Sequence, residues 1–104
     1  MSEEHARFAV GQLVQHRLFE YRGVVVDVDA TFRGSDEWYA EVARSRPPRD
    51  QPWYHVLPHD AVHTTYVAER NLEPDPSDAP IHHPLVDEFF ERFEDGRYRR
   101  AGLH

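Results

Sequence analysis

Val24-Val25-Val26-Asp27-Val28-Asp29 is the stretch that decides the fold class. Val24, Val26 and Val28 face one way and Val25, Asp27 and Asp29 the other, the pattern of a strand packed on one face only. Upstream, Leu13-Val14-Gln15-His16-Arg17-Leu18 predicts an earlier strand on which Val14, His16 and Leu18 share a side. Phe19-Glu20-Tyr21-Arg22-Gly23 joins the two. Downstream, Trp53-Tyr54-His55-Val56-Leu57 and Val62-His63-Thr64-Thr65-Tyr66-Val67-Ala68 flank Pro58-His59-Asp60-Ala61, a hairpin connection. Glu69-Arg70-Asn71-Leu72 supplies a 3₁₀ turn and a last short strand. Gly11 and Gly23 stand where a tightly curled sheet needs a turn or bulge. Short antiparallel connections without βαβ alternation predict a mainly β domain, a small five-stranded antiparallel barrel over residues 1–72.

Two segments break the strand pattern. Ser35 predicts the cap of a short helix over residues 35–43, with Asp36 and Glu37 in its first turn and Trp38, Tyr39 and Val42 as its apolar stripe. Pro47, Pro48 and Pro52 then force an extended loop, so residues 30–52 form one long helical insertion between strands. Residues 73–104 open with a polar, proline-rich linker. Leu85, Phe89 and Phe93, with Val86 and Phe90 alongside, follow at helical spacing and predict a C-terminal amphipathic helix. Pro84 suits its first turn and Gly96 its stop. This stretch reads either as part of the same domain or as an appended tail.

Composition narrows the chemistry. At 104 residues the chain is one domain at most, with enough for one modest core and little room for a deep substrate cavity. It has no cysteine, which excludes disulfides, thiolate metal sites and thiol nucleophiles. No apolar run approaches the ~20 residues of a membrane span, and a cytoplasmic protein is expected. Nineteen acids against twelve bases give −7, which argues against a generic nucleic-acid binder. All twelve bases are arginine, which removes lysine Schiff-base chemistry and regulation by side-chain lysine acetylation. Protonating all eight histidines would carry the formal charge from −7 to +1.

The candidate residues favour binding over catalysis. His55, His59 and His63 are four apart, a helical metal spacing, but they lie on strand, turn and strand, and no metal is expected. Asp27 and Asp29 share a face that reads as solvated. No serine sits in a nucleophile elbow and no glycine-rich phosphate loop occurs, so no enzymatic activity and no cofactor are expected. Arg44, Arg46 and Arg49 form the basic cluster, on the proline-stiffened loop, with Arg17 and Arg22 as further contacts to DNA or an acidic partner. The candidate protein contacts are the rim aromatics Trp53 and Tyr54 and the tail residues Leu85, Phe89, Phe90 and Phe93.

With those residues in place, the chain resembles the HspQ family, also described as the hemimethylated-DNA-binding YccV-like domain. The matching blocks are Phe8-Ala9-Val10-Gly11-Gln12, Val14-Gln15-His16-Arg17 and Tyr21-Arg22-Gly23-Val24-Val25-Val26-Asp27-Val28-Asp29. Pro52-Trp53-Tyr54-His55-Val56, then Val62-His63-Thr64-Thr65-Tyr66-Val67-Ala68-Glu69 with Asn71-Leu72, complete the set. The resemblance implies an SH3-like barrel in the bacterial cytoplasm. It implies a stress-linked, heat-shock role in degrading denatured proteins, the replication initiator among them, by enhancing the specificity of the Lon protease. Affinity for hemimethylated origin DNA is the alternative it implies, together with a small homo-oligomer. The family carries no catalytic motif to transfer.

Overall fold

The computed structural model describes residues 6–43 and 45–100. The chain is mainly β. Strands β1 (Leu13–His16), β2 (Arg22–Asp29), β3 (Trp53–Pro58), β4 (Thr65–Ala68) and β5 (Leu72–Pro74) form one antiparallel sheet in the order β4-β3-β2-β1-β5. The ladder runs from β4 to β5, and among the described residues no pairing joins those two outer strands. Among the described residues no helix is long and apolar enough to cross a membrane.

The strand register explains which valines meet. A β-bulge between Val25 and Asp27 inserts one residue into β2 and reverses the alternation beyond it. Val28 therefore joins Val25, Tyr54, Val56, Val67, Val14 and Leu72 on one face, with Phe8 packed among them. Val24 and Val26 lie on the other with Leu13 and Leu57. The expected grouping of Val28 with Val24 and Val26 thus fails at the bulge. β1 is also shorter than expected: the chain turns after His16, leaving Leu18 and Phe19 exposed.

The second face is covered at one end by the chain's last third. The expected C-terminal amphipathic helix is absent from the described residues. Instead a single turn, α2 (Val86–Phe89), leads into a hairpin of β6 (Arg92–Glu94) and β7 (Arg97–Arg99). Asp95 and Gly96 both take positive φ, 55° and 72°, as a tight two-residue hairpin turn requires. Gly96 thus turns a hairpin and does not stop a helix. The turn α2 has no side-chain N-cap, and a helix this short cannot persist on propensity.

Packing decides against its extension. Phe90 leaves the helical region and inserts beside Tyr98, with ring centroids 5.3 Å apart, over Leu13, Val24 and Leu57. The Tyr98 hydroxyl accepts from the Ile81 N–H at 2.8 Å and donates to the Ile81 carbonyl at 3.3 Å. Gly11 makes this docking possible: at φ +93° its N–H reaches Val25 and its carbonyl accepts from Tyr98. A Cβ at Gly11 would sit 2.2 Å from the Tyr98 carbonyl oxygen. Residues 81–98 are therefore part of the packed core.

Candidate functional site: an apolar groove along a sheet edge

At the opposite end of the same sheet lies an aromatic cluster that remains open. Helix α1 (Asp36–Val42) starts where expected, with the Ser35 hydroxyl accepting from the Trp38 N–H at 3.0 Å. The loop around it is tied down by its own carbonyls. The Tyr39 hydroxyl donates to Pro47 O at 2.6 Å, Trp53 Nε1 to Pro48 O at 3.0 Å, and Phe32 N to Arg49 O at 2.9 Å. Phe32 thereby inserts between Trp53 at 4.8 Å and Tyr39 at 5.4 Å, with Trp38 and Tyr66 each 5.9 Å away.

A groove of about 990 Å³ runs beside this cluster, between α1 and the turn after β1. Trp38 and Val42 line it from α1, Leu18 and Phe19 from the turn after β1, and Trp53 and Tyr66 from β3 and β4. Phe19 is 74% exposed and Leu18 57%, large apolar groups that a monomer rarely presents together. Their position is held from beneath. His16 Nδ1 accepts the N–H groups of both Leu18 and Phe19 at 3.1 Å, and its ring stacks on Phe19 at 4.6 Å. Burial holds the His16 imidazole below its ordinary pKa, consistent with a nitrogen kept unprotonated to accept both bonds.

At the far end Asp29, His55 and Tyr66 are linked. The Tyr66 hydroxyl donates to Asp29 Oδ2 at 2.6 Å and accepts from Arg33 N at 3.0 Å, while His55 Nε2 lies 3.2 Å from Asp29 Oδ2. Burial pulls the Asp29 pKa upward, but the bonds from Tyr66 and His55 outweigh it and the net shift is down. Burial, with the Asp29 bond adding to it, raises Tyr66 to about 12. Asp29 is accordingly half-buried and engaged, whereas the alternation had placed it on a solvated face.

The expected basic residues differ in what already holds them. Arg44 lies outside the described residues. Arg22 is committed to the fold, its Nε 2.7 Å from the buried Asp75 and its Nη2 on the Ala79 carbonyl. Arg49 pairs with Asp36 and lies over the Phe32 and Tyr39 rings at 5.0 and 4.6 Å. Arg17 and Arg46 are exposed, on different loops. The Arg17 N–H donates to Asn71 O at 2.8 Å and Asn71 Nδ2 donates to Ser45 Oγ at 3.4 Å, so these two loops meet at Asn71.

Among the apolar candidates, Trp53 is 1% and Tyr54 0% exposed, the latter donating to Glu69 Oε1 at 2.6 Å. Tyr54 is a core residue, not a rim contact, and Trp53 reaches a partner only as part of the groove lining. Phe90 is buried, Leu85 and Phe93 are half-buried against the core, and Phe89 alone of the tail residues is exposed. The lining residues Leu18, Phe19 and Val42 were not singled out as contacts by sequence reasoning. Their available signal was two adjacent large apolar residues in the connection between two strands.

The three histidines at four-residue spacing also separate. His55 joins Asp29, the His59 and His82 rings lie tilted with centroids 5.2 Å apart, and the His63 carbonyl lies 2.8 Å from His83 Nε2. His59 and His82 do converge with Asp60, His59 Nε2 being 3.3 Å and His82 Nδ1 3.7 Å from its carboxylate. However, His59 Nδ1 accepts the His82 N–H at 2.9 Å, which leaves Nε2 as the protonated nitrogen of the neutral ring. A metal at Nε2 would require the ring proton to move to Nδ1 and the bond from His82 to be given up, whereas the trio as it stands is a hydrogen-bonded surface cluster. Residues 6–97 match the family described as "Hemimethylated DNA-binding protein YccV like", and the chain belongs to this YccV-like family.

Proposed function

We propose that this chain is a non-enzymatic, cytoplasmic accessory factor that holds denatured or specific client proteins and raises the specificity of their degradation by a Lon-type protease. The observation that carries the reading is the apolar groove flanked by Leu18, Phe19 and Val42, whose chemistry suits an unfolded polypeptide. The strand order, with one 3₁₀ turn before β5, supports an SH3-like arrangement as its scaffold. The test compares degradation of a permanently unfolded client by purified Lon with and without this protein. Stimulation is expected, and Phe19→Glu should remove it while leaving the melting temperature unchanged. Stimulation that survives Phe19→Glu would reject the groove as the client site.

A second reading follows from the family's description: binding of hemimethylated DNA. Arg17 and Arg46 are the exposed candidates for phosphate contact, whereas Arg22 and Arg49 are held by Asp75 and Asp36. The net charge of −7 weighs against it. Replacing Arg17 and Arg46 should flatten the salt dependence of DNA binding by about one log unit per lost contact. An unchanged slope would remove these arginines from the DNA reading.

A further inference from the structure

Resting on the groove reading, we propose that the client binds as an extended strand added to the open edge of β4, with a basic residue meeting Glu41. β4 is an outer strand of the sheet. Residues 64–68 all line the groove, five in succession. Side chains alternate faces along a strand, so an unbroken lining run means that its edge, with its N–H and C=O groups, runs along the groove. Among the described residues, 64–67 make no backbone hydrogen bond outside the β3 ladder.

The two sheet edges are also protected differently. β5 ends in Pro74, which has no N–H to offer, and the buried Asp75 follows. β4 is Thr65-Tyr66-Val67-Ala68, without proline, glycine or charge, the composition that leaves an edge ready to pair. Glu41 is the one formally charged side chain lining the groove among the described residues. An apolar strand with a cationic neighbour therefore complements the groove's own lining.

The test uses acetylated hexapeptides of alternating valine and threonine with a terminal lysine, followed by tryptophan fluorescence. Single N-methyl groups are placed at each position in turn. Strand addition predicts a two-residue rhythm: methylation of an edge-facing amide should weaken binding roughly tenfold, and methylation of its neighbours should be tolerated. Exchanging the lysine for glutamate should weaken binding several-fold, and Glu41→Arg should reverse that preference.

Uniform tolerance of N-methylation would overturn strand addition while leaving an apolar groove that captures side chains. Absence of peptide binding, with Lon stimulation still sensitive to Phe19→Glu, would overturn it in the same way. If stimulation were also insensitive to Phe19→Glu, the client-groove reading would fall with it. A dimer in sedimentation that Phe19→Glu breaks and peptide does not displace would give the edge to a second copy and also overturn the proposal.

Discussion

The two aromatic clusters on this sheet use similar residues to opposite ends. Around Tyr98 the rings of Phe90 and Phe93 close over Leu13, Val24 and Leu57, and the one hydroxyl finds both polar partners on Ile81. Around Phe32 the rings of Trp38, Tyr39, Trp53 and Tyr66 are held just as specifically, but the groove beyond them stays open. The difference lies in what covers each. The tail cluster is roofed by its own chain, brought close by Gly11. The groove cluster is flanked by a turn that projects Leu18 and Phe19 outward. Aromatic content alone therefore does not mark a binding surface; it is the incomplete roof that does.

The largest expected effect comes from breaking the closed cluster. Phe90→Ala empties a buried site between Tyr98 and the sheet and should cost about 3–5 kcal/mol of stability, read as a lowered midpoint in urea. A change below ~1 kcal/mol would mean that the tail is not part of the cooperative core. Deletion of residues 81–104 should be worse still, because it uncovers Leu13, Val24 and Leu57 together. Loss of function in that truncation would therefore report unfolding.

A smaller effect is expected in the open cluster. Tyr66→Phe removes a bond to Asp29 and another from Arg33, and should cost about 0.5–1.5 kcal/mol. It should also change the acid limb. The Asp29 pKa is lowered in the fold, so its contribution is present above the unfolded value near 3.8 and is lost as pH falls through the folded value. In the variant that acid loss should shrink, which a series of urea melts between pH 5 and about 2 would resolve.

The turn beneath Phe19 should respond to milder acid. The His16 pKa is lowered in the fold, so the unfolded chain takes up a proton first. Its contribution to stability is complete above 6.5 and declines as pH falls below that value. Protonation at Nδ1 would also remove the acceptor for the Leu18 and Phe19 amides, so their hydrogen exchange should accelerate over the same interval. Exchange that does not change between pH 7 and 5.5 would show that the imidazole does not hold the turn.

The smallest stability effect marks the functional contrast. Phe19→Ala trims a 74% exposed ring and should alter stability by less than ~0.5 kcal/mol, while lowering client binding more than any equally exposed substitution outside the groove. If binding were unaffected, the open roof would not be a client site.

Much of the sheet was readable from local pattern, and much of the groove was not. The strand at residues 53–57, the Ser35 cap and the proline-bound loop follow from period, capping chemistry and proline geometry, all of which act within a few residues, whereas β3 runs on through Pro58 and β4 begins at Thr65 and not at the expected Val62. The tail was misread because Phe89 and Phe93 satisfy a helical period, while Asp95-Gly96 carried an equally local hairpin signal. Phe90 decides between them, because its burial depends on Gly11, 79 positions away. The groove escaped for a similar reason. Its lining comes from the turn after β1 and from α1, and no window of sequence contains both.

The sequence by itself determined the mainly β class, the resemblance to the YccV-like family, the absence of cysteine chemistry, and an acidic surface whose only cations are arginines. Only the tertiary structure decided which of those arginines are already engaged, which aromatics are core, and which sheet edge stays open. Strand period, turn chemistry and net charge are properties of neighbouring residues or of sums. Burial, ion pairing and an unroofed groove depend on which distant segments pack together, and packing free energy is gained only once they meet.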